Sequence, residues 1–171
     1  MDNVYKIKKS LKTPMIVAAL ISIPVFADVI MRGFKASTMI LVLGLMVLFY
    51  LLAINNILRK IQITDSQIII RSILGIRRIP RESITFIDGM SMGTRQFASI
   101  STKKRSYLIP NSFESFPSIL SDLEKLGSEE TLGKGLSSLR ENIIVRKSDT
   151  AGAWITVILL LIILLIRFFP K

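Results

Sequence analysis

The sequence predicts a membrane α+β protein. It should carry an N-terminal transmembrane helical hairpin, a small antiparallel β-barrel capped by one helix, and a C-terminal transmembrane helix. Three observations carry this. Apolar residues make up 50% of the 171-residue chain, more than a soluble domain of this size usually holds. They concentrate in Met15–Met31, Met39–Leu58 and Ala153–Phe169, leaving a polar remainder in a chain of net charge +11. Between the second and third runs, the apolar period changes from two residues to that of a helix.

A helix rises about 1.5 Å per residue, so roughly 20 apolar residues cross a hydrocarbon core of about 30 Å. The run 39–58 (MILVLGLMVLFYLLAINNIL) meets that length. The run 14–31 is slightly shorter and contains Pro24, expected to kink it, and Asp28. The run 153–169 holds the most apolar stretch of the chain, with Trp154 and Phe168-Phe169 at its ends, where interfacial aromatics sit. Lys6, Lys8, Lys9 and Lys12 before the first run resemble the start of a signal peptide. No clean small-residue cleavage site ends the run, and it is read as a retained helix. The short connection Arg32–Ser37 makes the first two spans an antiparallel hairpin.

Lys and Arg near span ends set orientation. Eight (Lys6, Lys8, Lys9, Lys12, Arg59, Lys60, Arg146 and Lys147) fall on one face, and four (Arg32, Lys35, Arg167 and Lys171) on the other. The predicted topology puts the basic N-terminus (1–13) and the domain (59–126) in the cytoplasm, and the C-terminus outside. Asp28 is a possible intramembrane polar site. Lying near the span end with Arg32 four residues on, it reads first as an interfacial ion pair. Ala18, Ala19 and Ser22 are small enough to seat a neighbouring helix.

Within the domain, Lys60–Thr64 alternates and puts Ile61 and Ile63 on one face. Strands are expected at Ile68–Ile73, Ile76–Ile79 and Ser83–Asp88, and a hairpin at Gln96–Thr102 and Ser106–Ile109 around Lys103-Lys104-Arg105. Gly89–Gly93 reads as a flexible connection between strands. Phe116, Ile119, Leu120, Leu123 and Leu126 then share one helix face, with Ser112 or Ser115 as N-cap and Gly127 as its stop. The helix should plug the mouth of an open barrel. Residues 127–152 read as a linker. Leu132, Leu136 and Leu139 suggest a short amphipathic helix there, whereas Ile143–Val145 would also suit a strand.

The segments "RIPRESI", "YLIPNSF" and "FPSILSDLEKL", in that order after a strand-turn-strand, resemble the bacterial pleckstrin-homology (PH)-like domain family. The matching positions are Ile79-Pro80 with Ile84, and Tyr107, Ile109 and Pro110. The resemblance covers about 67 of 171 residues and rests on apolar spacings and turn prolines. It implies a PH-like barrel beside membrane helices in a bacterial cytoplasmic (inner) membrane, and carries no catalytic residue across. The third span departs from the commonest hairpin-plus-domain arrangement of that family.

Without Cys or His, the chain has no disulfide, no thiolate or imidazole metal site and no nucleophile–His pair. The Gly89–Gly93 pattern matches no phosphate loop, and Glu129-Glu130 read as helix-start charges. No cofactor or metal is expected, and the chain reads as a non-enzyme. The candidate contact residues are Arg71, Arg77, Arg78, Arg81, Lys103, Lys104 and Arg105. They suit a lipid headgroup or a partner, or else simply hold the domain near anionic lipid at about 1 kcal/mol each. In eukaryotic relatives of the PH fold, loop cations bind such headgroups. No aromatics interleave with these cations, so nucleic acid is not an expected partner.

The expected function is that of an accessory, scaffold or regulatory subunit binding a membrane protein, a second copy or anionic lipid. Exposed strand edges offer it a site for peptide addition. Two alternatives are a component of an oligomeric transporter or channel, with Asp28, Asn55 and Asn56 on the path, and a membrane immunity protein against a toxin.

Overall fold

The computed structural model describes residues 2–32, 35–93, 95–144 and 148–168. Val145, Arg146, Lys147, Phe169, Lys171 and part of the 32–37 connection lie outside the described residues. The chain divides into two compact units, residues 1–8 with 59–146, and residues 9–58 with 147–171.

The first unit begins with a strand that the sequence did not announce, β1 (Asp2–Lys6). It pairs antiparallel with β2 (Lys60–Thr64), with Val4 opposite Gln62 and Lys6 opposite Lys60. The whole helical hairpin is therefore inserted between two neighbouring strands of one sheet. Of residues 1–13, expected as a basic tail, 2–6 form this strand and 9–13 open the first helix. Tyr5 and Ile7 are buried while Lys6 and Lys8 are not, a period-two pattern typical of a half-buried strand.

β3 (Gln67–Ser72) and β4 (Gly75–Pro80) complete a four-stranded sheet in the order β1-β2-β3-β4. A second antiparallel sheet holds β5 (Ile84–Met92), β6 (Arg95–Thr102) and β7 (Ser106–Pro110). Neither sheet closes into the expected barrel. No ladder joins β4 to β5: the chain breaks at Pro80, which has no N–H to donate, and turns through one 3₁₀ turn, Arg81–Ser83. Gly89–Met92, read as a connection, continues β5.

α3 (Phe116–Leu126) follows, with Phe116, Ile119, Leu120, Leu123 and Leu126 all buried. Ser115 is its N-cap, in a left-handed conformation at φ 51°, but its side chain makes no capping bond. The backbone carbonyl of Ser115 accepts instead from Ser118 and Ile119. Ile61, Ile63, Ile68, Ile79, Ile87, Ile100, Ile109 and Phe113 are fully buried with the α3 residues. Each such side chain contributes about 1.5–3 kcal/mol through burial.

The stretch expected as a linker folds onto the second sheet. A 3₁₀ turn (Glu129–Thr131) leads to α4 (Lys134–Glu141), which buries Leu136 and Leu139. Gly133 donates to the Ile87 carbonyl at 2.7 Å, and Gly135 donates to Asp88 Oδ1 at 3.0 Å. A Cβ on Gly135 would lie 2.1 Å from the Gly89 carbonyl oxygen, so two glycines permit the close approach of α4 to β5. Ile143 and Ile144 form no strand. Gln96 clamps this segment, donating from Nε2 to the Asn142 carbonyl at 2.6 Å and accepting from the Ile144 N–H at 2.9 Å.

The second unit holds three helices long and apolar enough to cross a membrane: α1 (Lys9–Met31), α2 (Ala36–Leu58) and α5 (Ser148–Phe168). α1 packs against both α2 and α5. Its buried residues are Pro14, Ala18 and Ser22, four apart, so one narrow stripe of small residues faces its neighbours. Ala53 of α2 and Val157 of α5 are buried, while large residues such as Leu45, Leu51 and Ile162 point outward.

Candidate functional site

Seven cations were candidates, and strand register separates them. Arg78, Lys103 and Lys104 converge on one open cleft of about 530 Å³, together with Ile79, Pro80, Glu82, Ser83, Thr102 and Tyr107. Its walls are the end of β4 with the following 3₁₀ turn, and the β6–β7 hairpin. The hairpin turn is pinned by Thr102, whose N–H and Oγ1 both donate to the Arg105 carbonyl at 2.8 Å, while the Arg105 N–H donates back to Oγ1 at 3.1 Å. On the other wall, Arg81 donates its N–H to the Ser66 carbonyl at 2.8 Å. Among the described residues, Arg78, Lys103 and Lys104 have no ion pair. Three cations against one carboxylate, Glu82, suit a phosphate or carboxylate ligand through charge-assisted hydrogen bonds.

Arg81 and Arg105 flank this cleft without lining it. Arg71 stands apart. It pairs with Lys60 on one side and Ile76 on the other, at the opposite end of β4. Arg77 is one residue from Arg78 and, by strand alternation, projects from the other face.

Three buried polar groups escaped sequence reasoning. Asp122 on α3 accepts from Tyr5 Oη at 2.6 Å and from Asn3 Nδ2 at 2.7 Å, tying β1 to α3. Burial, and then the hydrogen bond to Asp122, push the Tyr5 hydroxyl well above the usual tyrosine range. The available signal was a carboxylate on an apolar helix face, three residues after Ile119 and four before Leu126. Gln96 and Asn111 are the other two. Asn111 Nδ2 donates to the Ile144 carbonyl at 3.3 Å, so both amides hold the segment that leads into α5.

Arg59, the first residue after α2, lies over the Phe113 ring at 5.6 Å and donates to the Leu108 carbonyl at 3.3 Å. Burial lowers its pKa, yet a guanidinium stays charged. It fastens the entry of the chain into β2.

In the helical unit, Asp28 pairs with Arg32 at 2.9 Å and also with Arg167 of α5. Sequence reasoning found the first partner and missed the second, which is 139 residues away. Near the other end of these helices, Ala153 and Thr156 of α5 share a cavity of about 290 Å³ with Leu11, Pro14 and Met15 of α1 and Leu52 and Ala53 of α2. α1 and α5 therefore run parallel. Asp28 is 14 residues beyond Pro14, about 21 Å along the helix. Asn55 and Asn56 follow Ala53 closely, so the structure does not bring Asp28 together with them. Midway, Ser22 Oγ and Tyr50 Oη both donate to the Ala19 carbonyl, at 2.8 and 3.1 Å.

Among the described residues, no group of His, Cys, Asp and Glu is placed to hold a metal ion. No family model matches the chain, and neither the curated proteins nor the solved structures contain a match to it.

Proposed function

We propose that this chain is a non-enzymatic integral membrane protein whose PH-like domain faces the cytoplasm. It serves as an accessory or scaffold subunit that binds a membrane-protein partner, with anionic lipid as the competing ligand of the same cations. Seven antiparallel strands followed by one amphipathic helix support the PH-like reading. The excess of Lys and Arg on the domain's side of the spans supports a cytoplasmic face.

The observation that carries the binding role is the outer strand β4. Among the described residues no strand pairs with its outer side, five of its six residues are exposed, and it leads directly into the Arg78–Lys103–Lys104 cleft. An acidic extended segment adding to β4 would satisfy the strand's backbone groups and reach those cations. The test is purification of the tagged full chain in mild detergent, beside a variant carrying Arg78→Glu, Lys103→Glu and Lys104→Glu. The expected result is a stoichiometric membrane protein with the wild type that is lost from the variant. Recovery of the wild type always alone contradicts the reading.

A further inference from the structure

The most exposed large apolar side chains of the domain are Leu74, 86% exposed, and Met92, 68% exposed. Both sit at hairpin tips. Leu74 stands in the β3–β4 turn beside Ile73 and ahead of Ile76, which are also exposed, and Gly75 closes that turn at φ 120°. Met92 ends β5, with the exposed Met90 two residues before it. A soluble surface seldom concentrates apolar residues at such tips without something to cover them.

Strand register shows which end of the domain these tips occupy. Lys6 pairs with Lys60, Lys60 with Arg71, and Arg71 with Ile76, forming one row across the four-stranded sheet. Lys60 is the second residue after α2, and Lys6 the third before α1. The row therefore lies within a few residues of both points where the chain enters and leaves its spans, a reach of roughly 10 Å. The β3–β4 turn projects beyond the row on that same side.

The second tip is placed by an independent set of contacts. Met90 pairs with Phe97, and Phe97 with Pro110. Just past Pro110, Ser112 accepts from the Lys8 N–H at 3.0 Å and Phe113 bridges to Ile7. Gln96, beside Phe97, holds Ile144, which lies four residues before α5. All three chain connections to the helices thus leave from the end of the domain that carries both apolar tips. The β2–β3 turn at Ser66 is at the far end, about 16–20 Å away along the strands.

We propose that the β3–β4 and β5–β6 tips are lipid anchors, with Leu74 and Met92 seated at the headgroup–acyl boundary of the bilayer that the protein's own helices cross. Ile73 and Ile76 extend the apolar contact of the first tip. Lys6, Lys60 and Arg71 lie in the adjoining row, where cations meet anionic headgroups. This assigns Arg71 to the membrane and leaves Arg78, Lys103 and Lys104 for a partner. It depends on the helices crossing a bilayer and is independent of what the cleft binds.

The chain has no Cys, so single labels are unambiguous. Full-length Leu74→Cys, Met92→Cys and Ser66→Cys variants would each carry a nitrobenzoxadiazole label in nanodiscs of mixed phosphatidylcholine and phosphatidylglycerol. The side chains at 74 and 92 are exposed, so their replacement leaves the core intact. Labels at 74 and 92 should be quenched several-fold more by nitroxide-bearing lipid than by aqueous iodide, and the label at 66 should show the reverse. Iodide quenching at 74 or 92 like that at 66 overturns the proposal. Protection of 74 or 92 from both quenchers also overturns it, since a protein surface, either a partner or a second copy, would then cover the tip.

Discussion

The two units of this chain solve the packing problem in opposite ways. The domain hides its large side chains, Phe113 and a set of isoleucines and leucines, and exposes charge. The helical unit hides small residues, Pro14, Ala18, Ser22 and Ala53, and turns its leucines and isoleucines outward. Water rewards the first arrangement through the hydrophobic effect. A bilayer offers no such drive between helices, so close approach of small residues and a few polar contacts must suffice. The same side chain therefore has a different energetic weight in each unit.

Six substitutions would break or sharpen that contrast, each measured on the full chain. Phe113→Ala should cost about 3–5 kcal/mol and remove hydrogen-exchange protection across β6. The outward Leu48→Ala of the helical unit, by contrast, should leave that protection unchanged. Gly135→Ala should cost about 1–3 kcal/mol by forcing α4 away from β5, with the loss of protection confined to residues near Gly89.

Tyr5→Phe should cost about 1.5–3 kcal/mol, because the lost bond runs to a charged acceptor. The Tyr5 hydroxyl is held protonated in the fold, its pKa raised above the ordinary value near 10. Its stabilisation is complete below pH 10 and fades as pH rises beyond that value. The gap in urea stability between wild type and Tyr5→Phe should accordingly narrow above about pH 10. A gap that stays constant would show that Tyr5 does not donate to Asp122.

Asp28→Asn, which breaks the pairing of α1 with α5, should cost only about 0.6–1.7 kcal/mol in SDS titration. Smallest of all, Arg78→Ala should shift stability by less than about 0.5 kcal/mol while weakening recovery of a partner.

Much of this contrast was legible in the sequence. Length and apolarity marked the helices, alternation placed Ile61 and Ile63 inside, and helical spacing gave the buried face of α3. What escaped depended on long-range pairing. β1 is a five-residue strand, and its Tyr5 and the following Ile7 alternate with lysines that read more simply as a topology signal. α4 belongs to the domain because Gly133 and Gly135 admit close backbone contact with β5, whereas glycines in a sequence suggest an interruption. The split of the cations between a cleft at one end of β4 and a row at its other end is a consequence of strand register, which no local pattern encodes. The open sheets replaced the expected barrel because Pro80 ends β4 without a ladder to β5.

The central claim is that one domain is assembled from both flanks of the helical hairpin. Val4 and Gln62 are register partners across β1 and β2. Opposed residues of such a pair have Cα atoms about 4.5–5.5 Å apart, within disulfide range. The most direct measurement is oxidative cross-linking of a Val4→Cys, Gln62→Cys double variant in intact membranes. The account predicts efficient disulfide formation there and none between Val4→Cys and Arg78→Cys, three strands away at about 14 Å. Equal cross-linking of both pairs, or none at 4 and 62, would contradict it.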